Sequence, residues 1–225
     1  MRISTKTLLR EIRAVLKPLA RDARQSTQAW DLYEVLVFGV VVKSARSLGA
    51  NVDLLNAVGK QTKQYLFRTS PGPLANPSQL FTHAEIAFPG HAELEAHAGI
   101  WVVGKSQLQH ECDCVVLLKA EADAARGGRG RTPLWGHVVL HVESKYYSKP
   151  IPLSLGRGFL GLGLDLGWKA STLVINRESS NAMQLVHSRR KAAALRLIPG
   201  QNHDLVELQK RFTKRFIRYQ KTGSV

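Results

Sequence analysis

The spacing of hydrophobic positions changes along this 225-residue chain from helical to strand-like and back. Over residues 5–25, Leu8, Ile12, Val15, Leu16 and Leu19 recur at helical spacing, and Pro18 is placed to kink or divide that helix. A second helix is expected over 29–48, ending before Gly49, and a weaker third over 52–67. Residues 70–77 read as a loop by their prolines and glycine. The period then shortens to that of strands at 84–88, 99–103, 107–118 and 136–145, with further strands at 171–176 and 183–187. Residues 121–133 read as a flexible basic loop. Residues 153–166 read as a helix despite four glycines. At the end, 204–220 is a basic amphipathic helix with Leu205, Leu208, Phe212, Phe216 and Tyr219 along one side.

This order predicts an α/β fold: a mixed central sheet flanked by helices, with an N-terminal helical extension and a basic C-terminal helix. Residues 1–70 form the helical region and give one helix to the core. Residues 71–200 carry the strands, and 201–225 the last helix, all in one compact domain. Lys and Arg outnumber Asp and Glu 32 to 17, a formal net charge of +15. So basic a globular chain is expected to meet polyanions, nucleic acid first, with an anionic membrane surface as the competing partner. Cys112 and Cys114 are the only cysteines and make no disulfide framework, so a reducing cytoplasm is the expected compartment. The early apolar run 35–42 is too short to span a bilayer, and no secretory leader is apparent.

Chemistry enters where the apolar pattern is broken. Glu143-Ser144-Lys145 ends the run that starts at Trp135, and Asp113 sits in a second run, Glu111-Cys112-Asp113-Cys114-Val115-Val116. Alternation along a strand puts Glu143 and Lys145 on one face, and Glu111 and Asp113 likewise share a face. If the two strands are neighbours, three carboxylates and an ammonium converge. That composition suits a hard divalent cation and a water prepared for attack. A salt-bridged strand end is the plainer alternative for any single Glu-x-Lys.

Asp113 followed by Glu143-Ser144-Lys145 at the end of an apolar strand resembles the PD-(D/E)XK nuclease superfamily, the restriction-endonuclease-like fold. The resemblance covers roughly residues 30–178. It implies that Asp113 and Glu143 bind Mg2+ or Mn2+, that Ser144 offers its backbone carbonyl as a ligand, and that Lys145 assists the attacking water. It also points to Glu34, a lone acid in an apolar helix ahead of the sheet, as a further catalytic glutamate. A helix-start acid favoured by the macrodipole is the alternative there. Glu111 is a fourth candidate ligand, with a solvent-facing role as the alternative. Cys112 stands where the family name has proline, and no Gln-x-x-x-Tyr pattern follows Lys145.

Other motifs carry less. His110, Cys112 and Cys114 alternate in one strand near His137 and His141, but a spacing of two is not the usual zinc-chelating arrangement. Gly104-Lys105-Ser106 lacks the upstream glycine of a phosphate loop. The glycines of 153–167 suit tight packing, and Arg157 among them is a candidate phosphate contact. Arg189, Arg190, Lys191, Lys210, Arg211, Lys214 and Arg215 form a basic C-terminal cluster able to neutralise backbone phosphates without reading sequence. The expectation is therefore a magnesium-dependent endonuclease acting on nucleic acid, DNA before RNA, in defence, restriction, repair or mobile-element processing. It would work as a homodimer or within a larger complex, with no membrane partner. The alternative is a non-catalytic basic nucleic-acid-binding protein.

Overall fold

In the computed structural model, which describes residues 5–15, 28–61, 65–74, 81–128, 131–177, 180–189 and 193–223, seven strands form one sheet in sequence order. They are β1 (Asn51–Leu55), β2 (His83–Ala87), β3 (Leu94–Val103), β4 (Gln109–Leu118), β5 (Val138–Lys145), β6 (Ser171–Ile175) and β7 (Ala194–Arg196). Neighbours from β1 to β5 are antiparallel, whereas β5, β6 and β7 run parallel. Parallel neighbours need a crossover. The helices α4 (Leu153–Leu166) and α5 (Ser180–His187) supply the two that this end of the sheet requires.

One face of the sheet is covered by α2 (Ala29–Arg46) and α6 (Asn202–Thr222), with α1 (Thr5–Val15) packed on α2. Leu205, Leu208, Phe212, Phe216 and Tyr219 of α6 are all buried, so the stripe read from the sequence is the face that meets the core. Each such side chain contributes about 1.5–3 kcal/mol by leaving water. Tyr33 of α2 is fully buried and its hydroxyl donates to the Leu197 carbonyl at 3.0 Å, which ties α2 to the segment leading into α6. On the opposite face lie α3 (Lys119–Gly127), α4 and α5, over two smaller apolar clusters.

Three expectations are corrected. The helix expected over 52–67 begins instead as edge strand β1, because Val52, Leu54 and Leu55 are buried by pairing with β2. The loop expected over 121–133 is helical through Gly127, since Ala122 and Ala125 are buried on the sheet. The strand expected over 183–187 is α5, the crossover that brings β7 parallel to β6. Pro18, and residues 75–77 of the expected 70–77 loop, lie outside the described residues.

The glycines of α4 have distinct partners. A Cβ on Gly156 would meet the Ala182 carbonyl of α5 at 3.0 Å, and one on Gly163 would meet the Trp168 ring at 2.4 Å. Close packing is thus the role of these two, against α5 and Trp168, while Gly158 and Gly161 have open space where a Cβ would go. Gly104 is held equally tightly at the β3–β4 turn, where a Cβ would meet Asp165 Oδ2 at 2.2 Å. That carboxylate accepts hydrogen bonds from the Ser106 amide and hydroxyl and contacts His110, clasping the turn to α4. Gly104-Lys105-Ser106 is therefore a hairpin turn.

Candidate active site

The β4–β5 ladder ends at the pair Cys114↔Val142. Beyond it the strands separate, and Asp113 fills the opening. Its Oδ2 accepts the Ser144 amide at 2.7 Å, with the Ser144 hydroxyl at 3.4 Å and Lys145 Nζ at 2.9 Å. The same ammonium lies 2.8 Å from Glu143 Oε1. Asp113 is 2% exposed, so its charge is held by these donors rather than by solvent. On its other edge β5 stays paired with β6 through Lys145↔Ile175, and the Asn176 amide donates to the Lys145 carbonyl. Backbone groups of successive strand residues point to alternate sides. Ser144 therefore directs both its N–H and its carbonyl toward Asp113.

Burial lifts the Glu143 carboxyl to about 7; Asp113 adds to the effect and Lys145 opposes it. Glu34, on α2, rises to about 9, through burial first and then the charge of Asp113. Glu111 is exposed at the surface yet is also raised, by partial desolvation and by Asp113. Although burial works against its charge, Lys145 is held above the ordinary amine range by Asp113 and Glu143. Four carboxyl groups are thus electrostatically coupled around one lysine. The fold gathers more negative potential here than it neutralises, which is a property of cation sites. Oxygen donors, both carboxylate and carbonyl, suit Mg2+ or Mn2+.

His141, on β5 two residues before Glu143, is fully buried and bonded through Nδ1 to the Ser171 hydroxyl at 3.2 Å. Its Nε2 is the one buried side-chain nitrogen or oxygen without a hydrogen-bond partner among the described residues. Burial, with His110 and Lys145 adding, lowers its pKa to about 3 and keeps the ring neutral. The sequence singled it out only for the weaker zinc reading, not for a place beside the acids.

The predicted basic residues disperse. Arg157 is exposed near the start of α4, the helix that follows Lys145. Arg189 is exposed just past α5, and Lys214 on α6. Lys210 pairs with Glu207 at 2.7 Å. Arg211 turns inward to the Thr172 hydroxyl at 3.4 Å, and Arg215 to the Val139 carbonyl. Arg190 and Lys191 lie outside the described residues. Val139 stands near the start of β5, so Arg215 lies toward the other end of that strand from Glu143 and Lys145, whereas Thr172 pairs with Val142 and sets Arg211 one register step from Glu143.

Among the described residues the group of three whose ligand atoms all lie within 4.8 Å of one another is His83, Glu85 and Glu95, a closeness that no three of Asp113, Glu143, Glu34 and Glu111 reach. It is already knit into an ion-pair network. Glu95 is bonded to Arg126 and, at 2.8 Å, to His97, while Lys119 lies 3.6 Å from Glu85. The residues of the weaker zinc reading are separately engaged: His110 with Asp165, His141 with Ser171, His137 near Glu121. Cys112 and Cys114 are buried thiols whose pKa is raised, chiefly by burial. No family model, curated protein or solved structure matches the chain. Among the described residues no helix is long and apolar enough to cross a membrane.

Proposed function

We propose that this chain is a divalent-metal-dependent nuclease with a restriction-endonuclease-like core, hydrolysing phosphodiester bonds, with DNA as its substrate. The observation that carries the reading is the convergence of Asp113, Glu143 and Lys145 at the opening between β4 and β5, with the Ser144 backbone facing the same point. Glu34 and Glu111 face the same charge, each held above the usual carboxylate range by desolvation and then by Asp113, and a bound cation would favour their ionised forms.

Asp113, Glu143 and the Ser144 carbonyl would hold Mg2+ or Mn2+. Bound there, the ion supplies Lewis acidity to the scissile phosphate and lowers the pKa of a ligated water. In the described geometry the Lys145 ammonium bridges the two carboxylates. With a divalent cation held by these residues, Lys145 would no longer be needed to neutralise both carboxylates and would be free to orient the attacking water and to hydrogen-bond the charge that develops on phosphorus oxygens. The water oxygen bonds to phosphorus as the bond to the 3′ oxygen breaks. The water's proton passes to solvent or a carboxylate, a proton returns to the 3′ oxygen, and the products are a 5′-phosphate and a 3′-hydroxyl.

The Lys145 bridge is also what a purely structural ion-pair cluster shows, and it supports the second reading, a basic nucleic-acid-binding protein without catalysis. Incubation with single-stranded, double-stranded and branched DNA, with and without Mg2+, separates the two. Metal-dependent cleavage is expected, lost by at least about a hundredfold in Asp113→Ala and Lys145→Ala, with DNA binding retained. Binding with no metal-stimulated cleavage of any substrate would establish the non-catalytic reading instead.

A further inference from the structure

A cleft of about 190 Å³ opens at the pole opposite the acids, lined by Trp135, Val138, Lys169, Arg215 and Arg218 among others. Val138 opens β5 and Ala170 precedes β6, so the cleft lies at the beginning of the strands whose far ends carry Glu143 and Lys145. Five residues of strand separate Val138 from Glu143, about 17 Å at 3.3 Å per residue, while on the cleft's inner side Ala170 accepts a hydrogen bond from the His141 amide, two residues before Glu143. The two sites are distinct.

No acidic side chain lines this cleft. Lys169, Arg211, Arg215 and Arg218 form no ion pair with any acid among the described residues. Arg215 is pulled partly out of water to bond the Val139 carbonyl, and its pKa falls to about 10 through burial, then repulsion from Arg218 and Arg211. Helix-dipole compensation is confined to a helix's last turn, which in α6 holds Lys221 and in α4 no basic residue, so it accounts for neither Arg218 nor Lys169. It does not reach Arg211 or Arg215, two turns or more further in. Half-buried like charges held together without a counter-ion leave a demand that a bound anion satisfies.

The wall beside the cations is aromatic. Trp135 is 37% exposed, too much for a core anchor, and the Lys105 ammonium sits 4.5 Å from its ring centroid. An aromatic face bordered by four cations matches a ligand with a flat ring and a phosphate. We propose that this cleft binds a nucleoside phosphate, its phosphate on Lys169 and Arg218 with Arg215 behind them, and its base against Trp135. The ligand is either a free nucleotide or a nucleotide within a strand, and the site does not depend on the nuclease reading.

Tryptophan fluorescence of the full chain, titrated separately with pyrophosphate, a nucleoside diphosphate and a 20-nucleotide single strand, tests this. Saturable quenching by the diphosphate or the strand is expected, abolished in Trp135→Phe. Affinity should weaken at least tenfold in Lys169→Glu and in Arg218→Glu, both at exposed positions where circular dichroism checks that the fold is kept. Asp113→Asn should change nothing, which separates this site from the acid cluster. Saturation by the diphosphate assigns a free nucleotide, and saturation by the strand alone assigns a polymer. Affinities within twofold of the unaltered chain in both charge reversals, or quenching unchanged in Trp135→Phe, overturn the proposal.

Discussion

Single residues that break an apolar pattern fall into two physical classes in this protein. Asp113, Glu143 and Glu34 are buried or part-buried among other acids, and burial works against the charge of Glu143 and Glu34. His83, Glu95 and His97 are equally buried, yet each finds a partner, Glu95 in His97 and in part-buried Arg126, and His83 in the stacked His97 ring. The first group was legible as Glu-x-Lys and a lone Asp in apolar runs; the second was not, because isolated histidines and glutamates on β2 and β3 have no diagnostic spacing. The second group makes the sharper stability prediction. Burial lowers His83 to about 3, with stacked His97, Arg126 and Lys119 adding and Glu95 opposing. The folded chain therefore refuses a proton that the unfolded chain accepts below about 6.5, so stability falls as pH drops from 6.5 toward 3. From pH 7 to pH 5 this histidine alone should cost about 2 kcal/mol. Urea unfolding of the unaltered chain and of His83→Gln at both pH values measures it. The loss on acidification should be about 2 kcal/mol smaller in the variant, and an equal loss would show that His83 is not the acid-sensitive group.

At the scale of elements, periodicity identified those helices and strands whose own sequence decides their burial. α2, α4 and α6 and strands β2 to β6 stand close to where the apolar spacing put them, although β3 starts five residues earlier than expected. β1, α3 and α5 were misread because their state is set by a neighbour: β2 offers an edge, the sheet buries two alanines, and parallel pairing of β6 and β7 demands a crossover. The glycines of α4 show the same division. Gly161 has open space where a Cβ would go, while Gly163 faces the Trp168 ring at 2.4 Å. Gly161→Ala should stabilise by about 0.5–1 kcal/mol, the helix-propensity difference. Gly163→Ala gains the same propensity but forces the indole aside, for a net loss of about 1–2 kcal/mol. Thermal melts of the two variants should move in opposite directions, and a stabilised Gly163→Ala would mean that Trp168 does not need its present seat.

For the whole molecule, charge and fold divide the work between two poles of one sheet. The chain carries +15, yet Asp113, Glu143, Glu34 and Glu111 gather where β4 and β5 part, and Arg215 of α6 turns inward at the start of β5. Composition foretold a polyanion partner but not this separation, because only the parallel turn of β6 and β7 carries α6 back beneath the starts of the strands. A surface of dispersed cations binds a duplex mainly by releasing counter-ions, with the logarithm of affinity falling by about 0.9 per neutralised phosphate for each logarithm of salt. If exposed Arg157, Arg189, Lys214 and Arg218 each neutralise one phosphate, raising salt fourfold should weaken binding about 150-fold. The measurement is fluorescence anisotropy of a labelled 20-base-pair duplex with the Asp113→Asn chain, between 50 and 200 mM salt, so that cleavage does not intrude. Random-sequence and defined-sequence duplexes should give the same slope, because contacts to backbone phosphates carry no base information. Arg157→Ala should lower the slope by about 0.9 and weaken every duplex alike. An affinity indifferent to salt would exclude phosphate neutralisation as the basis of binding and leave the net charge of +15 without a polyanion to explain it.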